Sequence, residues 1–168
     1  MPQINQPAPD FLLPDLTGSF HRLSDHKGKI VVVNFWSCEC VHSERTDRSI
    51  MTALPRWEED VVMLTVACNR GESLELIRQE AEGRRLPLVL MDPEQRVTNL
   101  YGAVVTPEAF VIDREGILRY HGAVDDVGFR QRTATRFYVE EAVETLLENR
   151  QPAVQETLAF GCAIVREI

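Results

Sequence analysis

Hydrophobic and polar positions along this chain fall into short blocks of two periods. Ile30 to Phe35 is an almost unbroken apolar, β-branched run, the pattern of a strand covered on both faces. Val61 to Cys68 repeats that pattern and predicts a second buried strand, and Leu86 to Met91 predicts a shorter third. Ala109–Ile112 and Ile117–His121 flank Asp113-Arg114-Glu115-Gly116, which reads as a hairpin with glycine last in its turn. Near the start, Phe11–Leu13 and Ser19–Leu23 flank Asp15-Leu16-Thr17-Gly18, and a small hairpin is expected there too. Between the strands the spacing turns helical. A helix should run from just after Cys40 toward Trp57, with Pro55 kinking or ending it, and another from Ser73 to Glu82. Asp92-Pro93-Glu94-Gln95 has the form of a capping box and predicts a helix over Glu94–Tyr101. Val139, Ala142, Val143, Leu146 and Leu147 give the clearest amphipathic helix. The polar stretch Val124–Thr135 is expected to be a surface loop, with Asp125 and Asp126 solvated.

This alternation of strand and helix, closed by a hairpin, specifies an α/β fold with a mixed central sheet and helices on both faces. We expect one domain over residues 1–150 and a tail over 151–168 that carries Cys162 in the apolar run Phe160–Val165. Composition adds limits rather than detail. The 168 residues are 44% hydrophobic and 26% charged, as in an ordinary globular domain, and the formal net charge of −8 argues against nucleic acid or anionic membranes as partners. No apolar run could span a bilayer and Met1–Pro7 does not read as a secretory signal, so a cytoplasmic setting is expected. Four cysteines are too few for a disulfide scaffold, which points to chemistry for any cysteine that matters.

Cys40 is the first candidate. It falls where a buried strand hands over to a helix N-terminus, and the free N–H groups and dipole there stabilise a thiolate. His42, in the next turn, is either solvent-facing or electrostatic support for that thiolate. Cys68 closes a buried strand and reads as core. Cys38, Cys40 and His42 spell Cys-x-Cys-x-His, but no second cluster supplies the remaining zinc ligands, so neither metal nor cofactor is expected. Thr106-Pro107 precedes a strand and, on its residues alone, reads as an ordinary strand-leading proline.

Val33-Asn34-Phe35-Trp36 with a cysteine just beyond, and Thr106-Pro107 before Phe110-Val111-Ile112-Asp113 and Gly116, resemble the thioredoxin-fold redoxins. That family takes in thiol-disulfide oxidoreductases of the TlpA/ResA type and the AhpC/TSA peroxiredoxin-like group. Ala8-Pro9-Asp10-Phe11, Leu13–Gly18 and Leu100-Tyr101-Gly102 extend the resemblance over residues 7–150, and Gly161-Cys162-Ala163-Ile164 is similar to the ending of one uncharacterised branch. The resemblance implies a thioredoxin-like fold, a cis Thr106–Pro107 bond packed against Cys40, and a substrate groove shaped by Thr106, Pro107, Trp36 and Ser37. It departs from the family at the usual second cysteine, where Ser43 stands, and at Val41, where a proline is usual. Peroxiredoxins would have a proline where Val33 stands, though Ser37 fits their pattern.

A thiol that attacks a disulfide needs a second thiol to release it. Cys162, Cys38 or an external thiol could do so; a Cys38–Cys40 bridge would be strained at that spacing. The expected activity is thiol-disulfide exchange with a disulfide-bearing protein or small thiol and an external thiol reductant. The alternatives are a thiol peroxidase acting on peroxide through Cys40, and a non-enzymatic redox-sensing or peptide-binding module.

Overall fold

In the computed structural model, which describes residues 1–166, a five-stranded sheet forms the centre. The N-terminal hairpin joins β1 (Leu12–Pro14) to β2 (Phe20–Arg22), antiparallel. Then follow β3 (Ile30–Trp36), α1 (Val41–Trp57), β4 (Val61–Ala67), α2 (Leu74–Gly83), β5 (Val89–Met91) and α3 (Arg96–Tyr101). The chain continues through β6 (Val105–Thr106), β7 (Glu108–Ile112), β8 (Leu118–Gly122), α4 (Tyr138–Leu147) and β9 (Cys162–Ala163). The sheet order is β5-β4-β3-β7-β8. β3 pairs parallel with β4 and antiparallel with β7, so the sheet is mixed, as its sequence pattern requires. The architecture is thioredoxin-like.

All seven residues of β3 are buried, and their alternation divides the core. Val31, Val33 and Phe35 face the aromatic cluster of Phe11, Tyr101 and Phe110. Ile30 and Val32 face the opposite side, where α1 supplies Ile50 and Ala53 and α4 supplies Val139, Ala142 and Val143. The sheet is thus covered on both faces, which is why β3 can afford no exposed polar side chain. Pro55 lies inside the last turn of α1, where it ends the helix within two residues.

Two elements differ from expectation. α3 starts at Arg96 rather than Glu94, because Gln95 adopts a left-handed conformation (φ 57°). Asp92 accepts hydrogen bonds from the Thr98 N–H and hydroxyl at 2.7 and 2.6 Å, and Gln95 donates to the Cys68 and Val165 carbonyls at 2.6 and 2.8 Å. The glutamine is therefore a clamp for the tail and not a cap. Asp125 is buried against the Arg45 guanidinium, so it is a structural ion pair and not a solvated loop residue.

The tail is stitched to the sheet on both sides of Cys162. At the β8 edge, the His121 N–H donates to the Gln155 carbonyl and the Thr157 N–H to the His121 carbonyl. Beyond Cys162, Ile164 is buried in the aromatic core and its N–H donates to the Val104 carbonyl at 3.0 Å. Burying one isoleucine contributes about 2 kcal/mol. The Val165 N–H then donates to Asn69 Oδ1 at 2.9 Å.

Candidate active site

The topology brings the candidate residues together. Because β7 runs antiparallel to β3, with Glu108 opposite Phe35, the residues just before β7 meet the residues just after β3. Thr106–Pro107 is one of those pairs, and its peptide bond is cis. Cys40 is the N-cap of α1, in extended conformation, and its Sγ donates to the Thr106 carbonyl at 3.2 Å. β9 then lies antiparallel on β6 in the register Thr106↔Cys162, which sets the Cys162 side chain against Cys40.

Cys40 therefore sits at the helix mouth, but the residue is only 3% exposed. A reactive cysteine is ordinarily open in part to solvent, and this one is covered. The tail closes over it, because two backbone segments meet there at a distance that only a glycine permits. A Cβ on Gly161 would lie 1.9 Å from the Thr106 carbonyl oxygen.

The two sulfurs are electrostatically unequal. Burial alone would raise the Cys40 thiol, but hydrogen bonding with the Cys162 and Thr106 side chains and the Ser43 N–H outweighs it, so Cys40 ionises below the ordinary cysteine range. Among the described residues the buried Thr106 hydroxyl has no ordinary hydrogen-bond partner, which leaves it available to the Cys40 sulfur. Cys162 is partly exposed; burial and the adjacent Cys40 push its thiol up to about 11, against a small opposing effect of the His42 and Val41 N–H groups. Of the two sulfurs, Cys40 is the one that ionises first. Replacing Cys162 by alanine removes the leading favourable hydrogen bond, so the Cys40 ionisation midpoint should move up. The pH profile of Cys40 alkylation measures it, and an unmoved midpoint would disprove the coupling.

Cys38 packs among Trp36, Ala67, Ile77, Ala81 and Val89. Burial and the Glu72 carboxylate push its thiol up to about 12. Cys68 is buried and pushed up to about 12 as well, consistent with a core cysteine. Trp36 and Ser37, which the resemblance assigned to the substrate groove, are 0% and 1% exposed. Trp36 donates to Asp47 at 2.8 Å beneath the Arg84 guanidinium, and Ser37 hydrogen-bonds Glu72. With the tail closed, both lie beneath the Cys38–Cys40 turn and neither reaches the surface. The His42 ring meets Phe160 edge-on at 5.0 Å, with Phe129 against the other side of Phe160 at 4.9 Å.

Glu108 is a site residue that no sequence pattern singled out. Buried at the start of β7, it accepts the Val104 and Val105 N–H groups through Oε2, at 2.8 and 3.3 Å, and pairs through Oε1 with His121 Nε2 at 2.7 Å. His121 in turn holds the tail at Gln155 and Thr157. One carboxylate thus links the cis-proline loop to the strand that carries the tail. Glu108→Ala strands two amides and an imidazole in the interior and should cost about 3 kcal/mol. The urea midpoint reads this out, and a loss under about 1 kcal/mol would remove Glu108 from this role.

Comparison with known proteins follows the same lines. The AhpC/TSA family model matches residues 4–121. The thiol-disulfide oxidoreductase ResA of Geobacillus thermodenitrificans is 36% identical over 115 residues, 67% of this chain and 65% of its own length. The thiol:disulfide interchange protein DsbE of Allochromatium vinosum is 27% identical over 121 residues, 71% of this chain and 66% of its own. This chain thus spans just under two thirds of the length of these curated relatives. Among solved structures, a hypothetical protein from Sinorhizobium meliloti 1021 superimposes with a TM-score of 0.87 at 25% identity, over 98% of this chain and 94% of its own. The family match ends before Cys162, whereas the S. meliloti structure matches the fold into the tail.

Proposed function

The chain belongs to the AhpC/TSA family, and on that premise we propose that it is a thiol-disulfide oxidoreductase in which Cys40 attacks and Cys162 resolves. The observation that carries this reading is the β6–β9 register, which holds Cys162 against Cys40 across the cis-proline loop. The usual second cysteine position, Ser43, lies buried in the first turn of α1, and its N–H supports the Cys40 sulfur instead. The resolving sulfur comes from the tail rather than from the helix.

The reaction follows from that arrangement. The Cys40 thiolate attacks a substrate disulfide, one substrate sulfur leaves as a thiolate, and a mixed disulfide forms on Cys40. Cys162 then attacks Cys40, which closes the Cys40–Cys162 bond and expels the second substrate thiol. The substrate gains two electrons and the protein is left with one disulfide. The Thr106 hydroxyl and the Ser43 N–H stabilise Cys40 whenever it carries charge. The sulfur of Cys40 must be uncovered for the first step, so the segment Leu158–Cys162 has to shift. Its freedom is supported by the exposure of Leu158 (94%) between the Thr157 and Ile164 anchors.

The similarity to ResA and DsbE favours disulfide exchange over peroxide reduction. The substrate is proposed to be a disulfide-bearing protein or small thiol. The test pairs two assays on the purified protein, reduction of a model disulfide and consumption of hydrogen peroxide. Turnover on the disulfide with formation of a Cys40–Cys162 bridge supports the proposal; fast peroxide consumption without disulfide turnover would replace it with the peroxidase reading.

A further inference from the structure

The two sulfurs of the proposed pair differ in how an outside thiol can reach them. Cys40 is enclosed by the cis-proline loop and by β9, and 3% exposed. Cys162 is partly exposed, and its sulfur rests against the N–H groups of Val41 and His42. Those two residues line a surface groove of about 420 Å³ together with Arg45, Arg132, Phe129 and Phe160. The groove thus sets two arginines beside the turn whose N–H groups meet the Cys162 sulfur, in a chain whose net charge is −8. Arg45 is already paired with Asp125, while Arg132 is exposed on the groove wall. With the tail closed, β9 occupies the edge of β6 where an extended protein segment could add as a strand.

We propose that a small anionic thiol reduces the oxidised pair, reaching it through this groove and attacking the sulfur of Cys162 rather than that of Cys40. The inference rests on the Cys40–Cys162 pairing proposed above and adds the point of entry and the class of reductant. In the first step a thiolate R–S⁻ attacks Cys162; the R–S–Cys162 bond forms, the Cys162–Cys40 bond breaks, and the electron pair departs on Cys40. In the second step another R–S⁻ attacks the mixed disulfide, R–S–S–R leaves, and Cys162 takes a proton from solvent. Two small thiols are oxidised to one disulfide, and one protein disulfide is reduced to two thiols.

Leaving-group chemistry agrees with access. A thiol that ionises more readily leaves faster. Attack at Cys162 expels Cys40, whose sulfur keeps the Thr106 hydroxyl and the Ser43 N–H as hydrogen-bond donors. Attack at Cys40 would expel the more basic Cys162 thiolate.

The experiment uses the full chain. It is oxidised mildly, and peptide mapping establishes the Cys40–Cys162 disulfide before any thiol is added. Reduced glutathione is then added in limiting amount, the mixture is acid-quenched at early times, and free thiols are blocked with N-ethylmaleimide. The expected product carries glutathione on Cys162 and the block on Cys40, in more than about tenfold excess over the reverse. Glutathione on Cys40, or an even distribution, overturns the choice of sulfur. A second arm compares glutathione with neutral 2-mercaptoethanol on Arg132→Glu. The ratio of their rates should fall by about threefold or more through lost steering, and an unchanged ratio overturns the groove. Should mild oxidation give no Cys40–Cys162 disulfide at all, the pairing itself fails, this inference falls with it, and the mapping step shows which of the two was at fault.

Discussion

Cys40→Ser should end disulfide exchange, lowering turnover on a model disulfide by on the order of a thousandfold or more. Serine cannot form an S–S bond, and its hydroxyl is far too basic to ionise where the thiol does. The fold should survive the change, because a hydroxyl can donate to the Thr106 carbonyl as the Cys40 thiol does. An unshifted urea midpoint therefore separates lost chemistry from lost structure. Cys162→Ser should behave differently. Cys40 can still attack, but nothing held beside it can release the product, so a mixed disulfide should accumulate in stoichiometric amount. Mass spectrometry of that variant after one equivalent of substrate reads this directly. Full turnover in Cys40→Ser would eliminate the proposed nucleophile, and full turnover in Cys162→Ser would assign release to an external thiol.

Gly161→Ala should open the site without touching either sulfur. Its Cβ would lie 1.9 Å from the Thr106 carbonyl oxygen and 3.1 Å from Pro107 Cδ. The first is a backbone atom held by the cis-proline loop, so the tail must yield. Once β9 lifts off β6, the Ile164 N–H loses the Val104 carbonyl and the Ile164 side chain leaves the core. The cost should be about 1–3 kcal/mol, as for other overpacked sites. Cys40 should then alkylate at least about tenfold faster, because access no longer waits for local opening. Measuring at a pH high enough to ionise the thiol in both proteins keeps the effect of access apart from that of acidity. The Cys40–Cys162 disulfide should also cease to form on mild oxidation. Parental alkylation kinetics in Gly161→Ala would mean that the tail does not control access. The same logic applies at Gly122, whose positive φ of 146° and close approach to the Thr157 carbonyl secure the first tail anchor.

The α1 N-terminus and the tail together resolve a difficulty that the sequence poses. A helix-mouth thiolate with no cysteine three residues later needs a release group from elsewhere, and the sequence alone does not choose among Cys162, Cys38 and an external thiol. In the proposed reaction the release group is the side chain of Cys162, brought in by a strand two residues long that adds to the edge of β6. The same strand buries the nucleophile. Resolution and protection are therefore one contact, and the rate of uncovering Cys40 is tied to the tail anchors at Thr157 and Ile164.

The linear order of the chain sufficed for everything set by local periodicity. The apolar runs at Ile30–Phe35 and Val61–Cys68 could only be strands covered on both faces, and the closing hairpin made the sheet mixed. The position of Cys40 at the handover from strand to helix was equally readable, since capping geometry is a property of neighbouring residues. Burial of Trp36 and Ser37, the loss of Cys38 to an apolar cluster, the clamp made by Gln95 and the bracing of Glu108 against His121 were not readable. Each depends on partners 11 to 70 positions away, and no spacing rule encodes which distant side chain fills a given gap. The seating of Cys162 on Cys40 belongs to the same class. A glycine before a cysteine in an apolar tail is a faint signal in one dimension, and it acquired meaning only when the backbone of residue 106 came to lie where a Cβ would otherwise stand.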